Sequence, residues 1–218
     1  MESGERGSSA GSKSQGSSVL IGLGGLAAVL GGGVYVGLVL LAGPYWLESL
    51  YYLDTIGYGF VAVVQPLGAM AAIVSVHALQ RRRHGMLGAY LAAVAFVGLA
   101  LVVGALTVGV VALSYPSELV VLLILLGLLV ASAGMLLLGG LTIAEGVLPW
   151  WCGVALVGGS PLGMFLMMVP SMLFRGLPDV ALGLTEAFAA LGGVMWVLLG
   201  YAIFRAAGRR SPMGVVRG

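Results

Sequence analysis

Charged residues are scarce in this chain, and cysteine and histidine are scarcer still. Only 8% of the 218 residues are Asp, Glu, Lys or Arg, against about 25% in a soluble domain, which excludes a soluble globular protein. The single cysteine, Cys152, excludes an intramolecular disulfide and a thiolate metal cluster. The two histidines, His77 and His84, lie near one helix end, whereas a membrane haem needs ligands on facing helices. We therefore expect no metal ion and no cofactor.

Catalytic motifs are also lacking. The sequence contains no H-E-x-x-H, no P-loop and no pair of membrane aspartates. The segments between its apolar runs are too short to hold a folded soluble domain. The net charge of +2 is small and dispersed, unlike the basic patches that bind nucleic acid. These features argue against an enzyme and against a nucleic-acid partner.

The sequence does contain six long apolar runs, and 60% of its residues are hydrophobic. Between Val19 and Phe204, Glu186 is the only charged side chain well inside a run. Each run is long enough to cross a hydrocarbon core of about 30 Å. The sequence therefore predicts an all-α polytopic bundle in a lipid bilayer, with transmembrane helices over 19–42, 57–79, 86–113, 119–144, 150–173 and 181–204.

The predicted domains are a transmembrane unit over 19–204 and two short tails. Residues 1–18 are rich in glycine and serine with almost nothing to bury, which predicts a disordered tail, and 205–218 form a second, basic tail. Six crossings place Arg175 on one face of the membrane and the other nine basic residues on the opposite face. These nine are Arg6, Lys13, Arg81, Arg82, Arg83, Arg205, Arg209, Arg210 and Arg217. The positive-inside rule then predicts that both termini are cytoplasmic.

Glycine is abundant, with 37 of 218 residues against an average of about 7%. Small residues let helix backbones approach closely in a membrane, where no hydrophobic effect drives helices together. Predicted helix one carries two such stripes, Gly24/Ala28/Gly32 and Gly33/Gly37. They predict a tight bundle, and helix one could equally contact a second copy of the chain or a partner membrane subunit.

Glu186 is the first candidate for a polar intramembrane site. Ala189, Ala190 and Gly193 follow it at helical spacing, so the carboxyl group shares a face with small residues. Removal from water favours the protonated form of a carboxyl group. Two interpretations stay open, a proton or cation site and a glutamate that stabilises helix packing.

Gln65 and Pro66 form the second candidate. Predicted helices two and six descend from the same face, and residue counting places Gln65 at a depth similar to that of Glu186, which would allow a hydrogen bond between them. The alternative is that Gln65 satisfies the carbonyl group that Pro66 leaves unpaired.

Ser160 and Pro161 form the third candidate, in the run Gly158-Gly159-Ser160-Pro161 near the middle of predicted helix five. This run predicts a kink. If the two halves of the chain form an inverted repeat, Pro66 and Pro161 occupy matching positions, as helix interruptions do around transporter sites. The alternative is two kinked helices that only pack.

Two segments of the last third carry a resemblance. Glu145-Gly146-Val147-Leu148-Pro149-Trp150 and Trp196-Val197-Leu198-Leu199-Gly200-Tyr201 resemble segments of bacterial multi-pass membrane proteins from actinobacteria-like genomes. In many of those proteins an arginine follows the Leu-Pro, where Trp150 stands here. The resemblance implies a bacterial plasma membrane protein of about six helices and no particular activity.

The sequence contains many small-residue stripes that favour helix packing and few residues that could form a catalytic or binding site. We expect a non-catalytic integral membrane protein with a structural, accessory or interaction role. The alternative is a small proton-coupled solute transporter that uses Glu186, Gln65 and helix breaks at Pro66 and Pro161.

Overall fold

The computed structural model describes residues 8–42, 55–112, 118–163 and 178–210. They form five helices, namely α1 Ser8–Ala42, α2 Thr55–Ala112, α3 Glu118–Glu145, α4 Trp150–Gly158 and α5 Pro178–Arg210. Residues 161–163 are helical again after the end of α4. The regular structure in these ranges is entirely helical, which confirms the predicted all-α class.

Five helical segments are long and apolar enough to cross a membrane. They are Ser18–Leu40, Val63–Arg83, Gly85–Val108, Glu118–Glu145 and Ala190–Arg209. These spans make the chain compatible with an integral membrane protein. Predicted helix five is described only up to residue 163, so the count of six crossings stays a prediction.

Two helix boundaries differ from those predicted. Helix α1 begins at Ser8, before the apolar span that begins at Ser18, and the disorder of residues 1–18 stays a prediction. Predicted helices two and three meet inside α2, which departs from helical geometry at Gly85, where φ is 51° and ψ is −136°. Arginine is a good helix former, so the helix continues through Arg81–Arg83 and turns only at this glycine. We call residues 55–84 and 86–112 the first and second arms of α2.

Glycine contacts fix how α1 packs between its two neighbours. Gly68 of the first arm lies against Ala27, and a β-carbon added at Gly68 would lie 2.6 Å from the Ala27 carbonyl oxygen. On the other side, a β-carbon added at Gly32 would lie 2.6 Å from the Gly193 carbonyl oxygen of α5. The order of these and neighbouring contacts shows that α1 runs antiparallel to both the first arm and α5.

Helix α3 packs between α2 and α4. Gly127 meets Gly98 and Gly134 meets Ala95, so α3 runs antiparallel to the second arm of α2. Gly139 meets Gly153 and Val157 while Ile143 meets Gly153, so α4 runs antiparallel to α3 as well. The buried core between the helices includes Ile73, Val76, Met135, Leu138, Leu156, Trp196, Leu199 and Ile203. Large apolar side chains remain exposed on every helix, as expected for surfaces that contact lipid.

Adjacent glycines on α3 test whether close approach stabilises the bundle. We expect Gly139→Ala to lower stability by about 1–3 kcal/mol, because a β-carbon there would lie 2.8 Å from both the Gly153 carbonyl oxygen and Val157 Cγ2. Gly140→Ala is the matched control, since a β-carbon there meets nothing within 4 Å. Thermal unfolding in detergent measures both variants. Equal midpoints for the two would show that the α3–α4 contact is not tight.

Candidate functional site

The predicted kink in helix five is a full interruption of the helix. Helix α4 ends at Gly158, and Gly159 follows as its C-cap. The N–H of Gly159 donates to the Ala155 carbonyl oxygen at 2.8 Å, and the N–H of Ser160 donates to that of Val157 at 3.2 Å. The next helical stretch begins at Pro161.

Ser160 starts that new stretch as its N-cap. Its hydroxyl oxygen accepts a hydrogen bond from the Gly163 N–H at 3.0 Å and donates one to the Val157 carbonyl oxygen at 2.6 Å. Pro161 then occupies the first helical position, where its missing N–H costs nothing. The pair therefore ends one helix and begins another while leaving few backbone groups unpaired.

Two neighbouring helices supply further partners to the break. The Ser132 hydroxyl of α3 accepts from the Leu162 N–H at 3.0 Å and donates to the Leu128 carbonyl oxygen at 2.6 Å. The indole Nε1–H of Trp196 in α5 donates to the Gly159 carbonyl oxygen at 3.0 Å. Both side chains are buried. The polar groups named here are thus paired within the protein.

Glu186 lies in α5, and its side chain is outside the described residues. Gly193 contacts Gly32 of α1, so at about 1.5 Å per residue the backbone of Glu186 is level with roughly residue 40 of α1.

Gln65 and Pro66 lie elsewhere, against α1. Helix α2 keeps helical geometry through Pro66, which is buried, while Gln65 is half-buried. A β-carbon at Gly31 would lie 3.4 Å from Gln65 Cα. Gln65 is therefore level with Gly31, about 13 Å along α1 from the level of Glu186. The similar depth that residue counting predicts is not found, because the glycine contacts set α5 and the first arm at different offsets along α1.

Among the described side chains, Ser160 and Pro161 are therefore not grouped with Gln65 and Pro66. Ser160 and Pro161 lie together between α3 and α5, and Gln65 and Pro66 lie together against α1. Only the first pair interrupts a helix. Helix breaks are predicted at both Pro66 and Pro161, and the structure has one at Pro161 only.

A second buried polar contact, which the sequence did not single out, joins α2 to α3. The Thr142 hydroxyl is shared between the Leu138 carbonyl oxygen at 2.8 Å and Gln80 Oε1 at 3.2 Å. Gln80 is 1% exposed, and its Nε2 has no hydrogen-bond partner among the described residues. One turn further, Arg83 Nη1 donates to the carbonyl oxygen of Glu145, the last residue of α3, at 3.2 Å. A cation at this end also complements the helix dipole.

The sequence allows the burial of some of these polar residues to be predicted, but not of all. Ser132 and Trp196 sit inside apolar runs, where a hydroxyl or indole N–H needs a partner, so their burial could have been anticipated but not their shared target. Gln80 precedes three arginines and resembles the start of a loop.

No protein-family model, curated protein or solved structure matches the chain. Among the described residues, no group of three or more His, Cys, Asp or Glu side chains is placed to hold a metal ion. The helix break and the helix contacts are therefore the features of the chain that bear on its function.

Three buried serines test the role of the break. We expect Ser160→Ala and Ser132→Ala each to lower stability by about 0.5–2 kcal/mol, because each removes the acceptor of a backbone N–H at the helix break. Ser75→Ala is the matched control, since the Ser75 hydroxyl donates at 2.9 Å to Ala71 of its own helix. Unfolding midpoints in detergent compare the three variants. A loss at Ser75 as large as the other two would contradict the assignment.

Proposed function

We propose that this chain is a non-catalytic integral protein of the bacterial plasma membrane with a structural or accessory role, acting through helix–helix interaction. The observation that carries the proposal is the helix break between Gly158 and Pro161. Ser132, Ser160 and Trp196 form hydrogen bonds with backbone groups that the break leaves without helical partners. These polar groups therefore hold the helices together. A substrate site would instead leave such groups directed at a cavity.

The finer topology of the proposal is six crossings with both termini in the cytoplasm. It is supported by the packing directions, because the first arm of α2 and α5 both run antiparallel to α1. Arg83 and Arg205 therefore share one end of the bundle, and Glu118, at the start of α3, lies at the other. The positive-inside rule assigns the arginine end to the cytoplasm.

The interaction surface of the proposal is the open face of α1. Gly24, Gly25, Gly31 and Gly32 contact neighbouring helices, whereas β-carbons added at Gly33 and Gly37 meet no described atom within 4 Å. Exposed Leu26, Leu30 and Leu40 continue the same face at helical spacing. Gly33 and Gly37 are four residues apart, the small-xxx-small spacing that lets two membrane helices approach closely. We propose that a second copy of the chain packs there.

A glycine pair tests this self-association. We expect Gly33→Leu to weaken association at least about tenfold, because leucine separates the two backbones. Gly104→Leu is the matched control, since Gly104 is also exposed with nothing within 4 Å of an added β-carbon, but lies on the second arm of α2. Energy transfer between labelled copies in liposomes measures association as a function of protein-to-lipid ratio. A wild-type chain that stays monomeric, or equal loss in both variants, would refute this surface.

The alternative function is the small proton-coupled transporter. It is favoured by one observation, a helix interruption opposite Ser132 near the middle of the span Glu118–Glu145. The continuous helix at Pro66 and the separation of Gln65 from Glu186 weigh against it. We therefore retain the structural role as the leading proposal.

The protonation behaviour of Glu186 distinguishes the structural role from the transporter. The transporter requires its carboxyl group to take up and release a proton during the cycle, which infrared difference spectroscopy detects as a carbonyl band. We expect no such change between about pH 5 and about pH 9, because a structural role requires no proton uptake or release by this group. Glu186→Gln provides the control spectrum. A titrating band that disappears in Glu186→Gln would favour the transporter.

A further inference from the structure

The arginine end of the bundle carries a strongly basic surface. Arg81, Arg82 and Arg83 close the first arm of α2, and all three side chains are exposed. Arg205 and Arg209 are exposed near the end of α5. Among the described side chains, Glu145 is the one carboxyl group at this end. Five guanidinium groups therefore face the same aqueous boundary with little compensating negative charge.

The two arginine groups lie on the two helices that flank α1, at the same end of the bundle. Helix α1 contacts the first arm through Gly24 and α5 through the adjacent residue Gly25. Packed helices lie about 8–10 Å apart between their axes, so the two helices that flank α1 lie at most about 16–20 Å apart. Arginine side chains on the two helices can therefore contact adjacent ligands at the same boundary.

Exposed apolar and aromatic side chains adjoin these charges on the membrane side. Met86 is 72% exposed and Tyr90 is 64% exposed at the start of the second arm. Tyr201 and Phe204 are exposed on α5, just before Arg205. Aromatic rings at this level typify the interface between lipid headgroups and acyl chains. A ligand that fits the whole surface is negatively charged at one end and apolar at the other.

We propose that this surface, Arg81, Arg82, Arg83, Arg205 and Arg209 with the adjoining apolar side chains, selectively binds anionic phospholipids. Arg83 already donates to the Glu145 carbonyl oxygen, so Arg81 and Arg82 are the main phosphate contacts on α2. The planar guanidinium group donates two parallel hydrogen bonds to phosphate oxygens. The proposal goes beyond the interaction role and does not require self-association.

Lipid binding to the purified full-length chain tests the proposal. Phosphatidylglycerol and phosphatidylcholine are titrated separately into the protein in a neutral detergent, and native mass spectrometry counts the bound lipids. We expect phosphatidylglycerol to bind at least about tenfold more tightly. Replacing Arg81→Gln and Arg82→Gln together should weaken its binding about thirtyfold, from the usual contribution of each basic residue near anionic lipid. Higher salt should weaken it in the wild-type chain.

Two further variants make the result specific. Arg81→Lys with Arg82→Lys keeps both charges and should retain most of the preference, while Arg175→Gln removes one charge from the segment that precedes α5 and should change nothing. Equal binding of the two lipids by the wild-type chain would overturn the proposal. So would an effect of Arg175→Gln as large as that of the double glutamine variant. Failure to displace bound phosphatidylglycerol with millimolar inorganic phosphate would support a lipid rather than a free anion as the ligand.

Discussion

The hydrocarbon core of a bilayer contains no water, so each backbone N–H and C=O group placed there needs a partner within the protein. Long helices meet this requirement by themselves, and most of the chain is built from them. The break after Gly158 does not, because a helix end leaves orphan donors and acceptors. Ser160 satisfies one of them locally, and Ser132 and Trp196 satisfy others from α3 and α5. The arrangement of these three helices around the break follows from that need.

Close approach between helix backbones is the second consequence of a lipid environment. Leucine gains little by leaving lipid for another leucine, so the helices associate through contact between backbones. Gly32 and Gly193, Gly98 and Gly127, and Gly139 and Gly153 each pair in this way. Gly33 and Gly37 are also glycines one helical turn apart, but among the described residues no atom lies within 4 Å of a β-carbon added at either position. Glycines of α1 therefore lie on two different surfaces, one packed against neighbouring helices and one open. The sequence alone does not show which glycine lies on which surface.

The sequence predicted the helices well and their mutual register poorly. Apolar length and the placement of charge are local properties, so the all-α class, the apolar spans and the interruption near Pro161 could be predicted. Relative depth is a property of pairs of helices. Gln65 and Glu186 were expected at one level because their helices were counted from their starts, whereas the glycine contacts offset those helices by about two turns. The partners of Ser132 and Trp196 depend on the same pairwise packing.

The break also couples parts of the chain that are distant in sequence. Leu162 depends on Ser132 of α3, and Gly159 depends on Trp196 of α5, so each bond forms only when the helix that supplies its partner flanks the segment. A continuous helix would fold in the membrane without them. Gly153 meanwhile brings α4 against Gly139, so the segment is held on one side by a tight contact and on the other by the indole. An interruption that is costly alone and satisfied only in the assembled bundle favours a single arrangement of α3, α4 and α5.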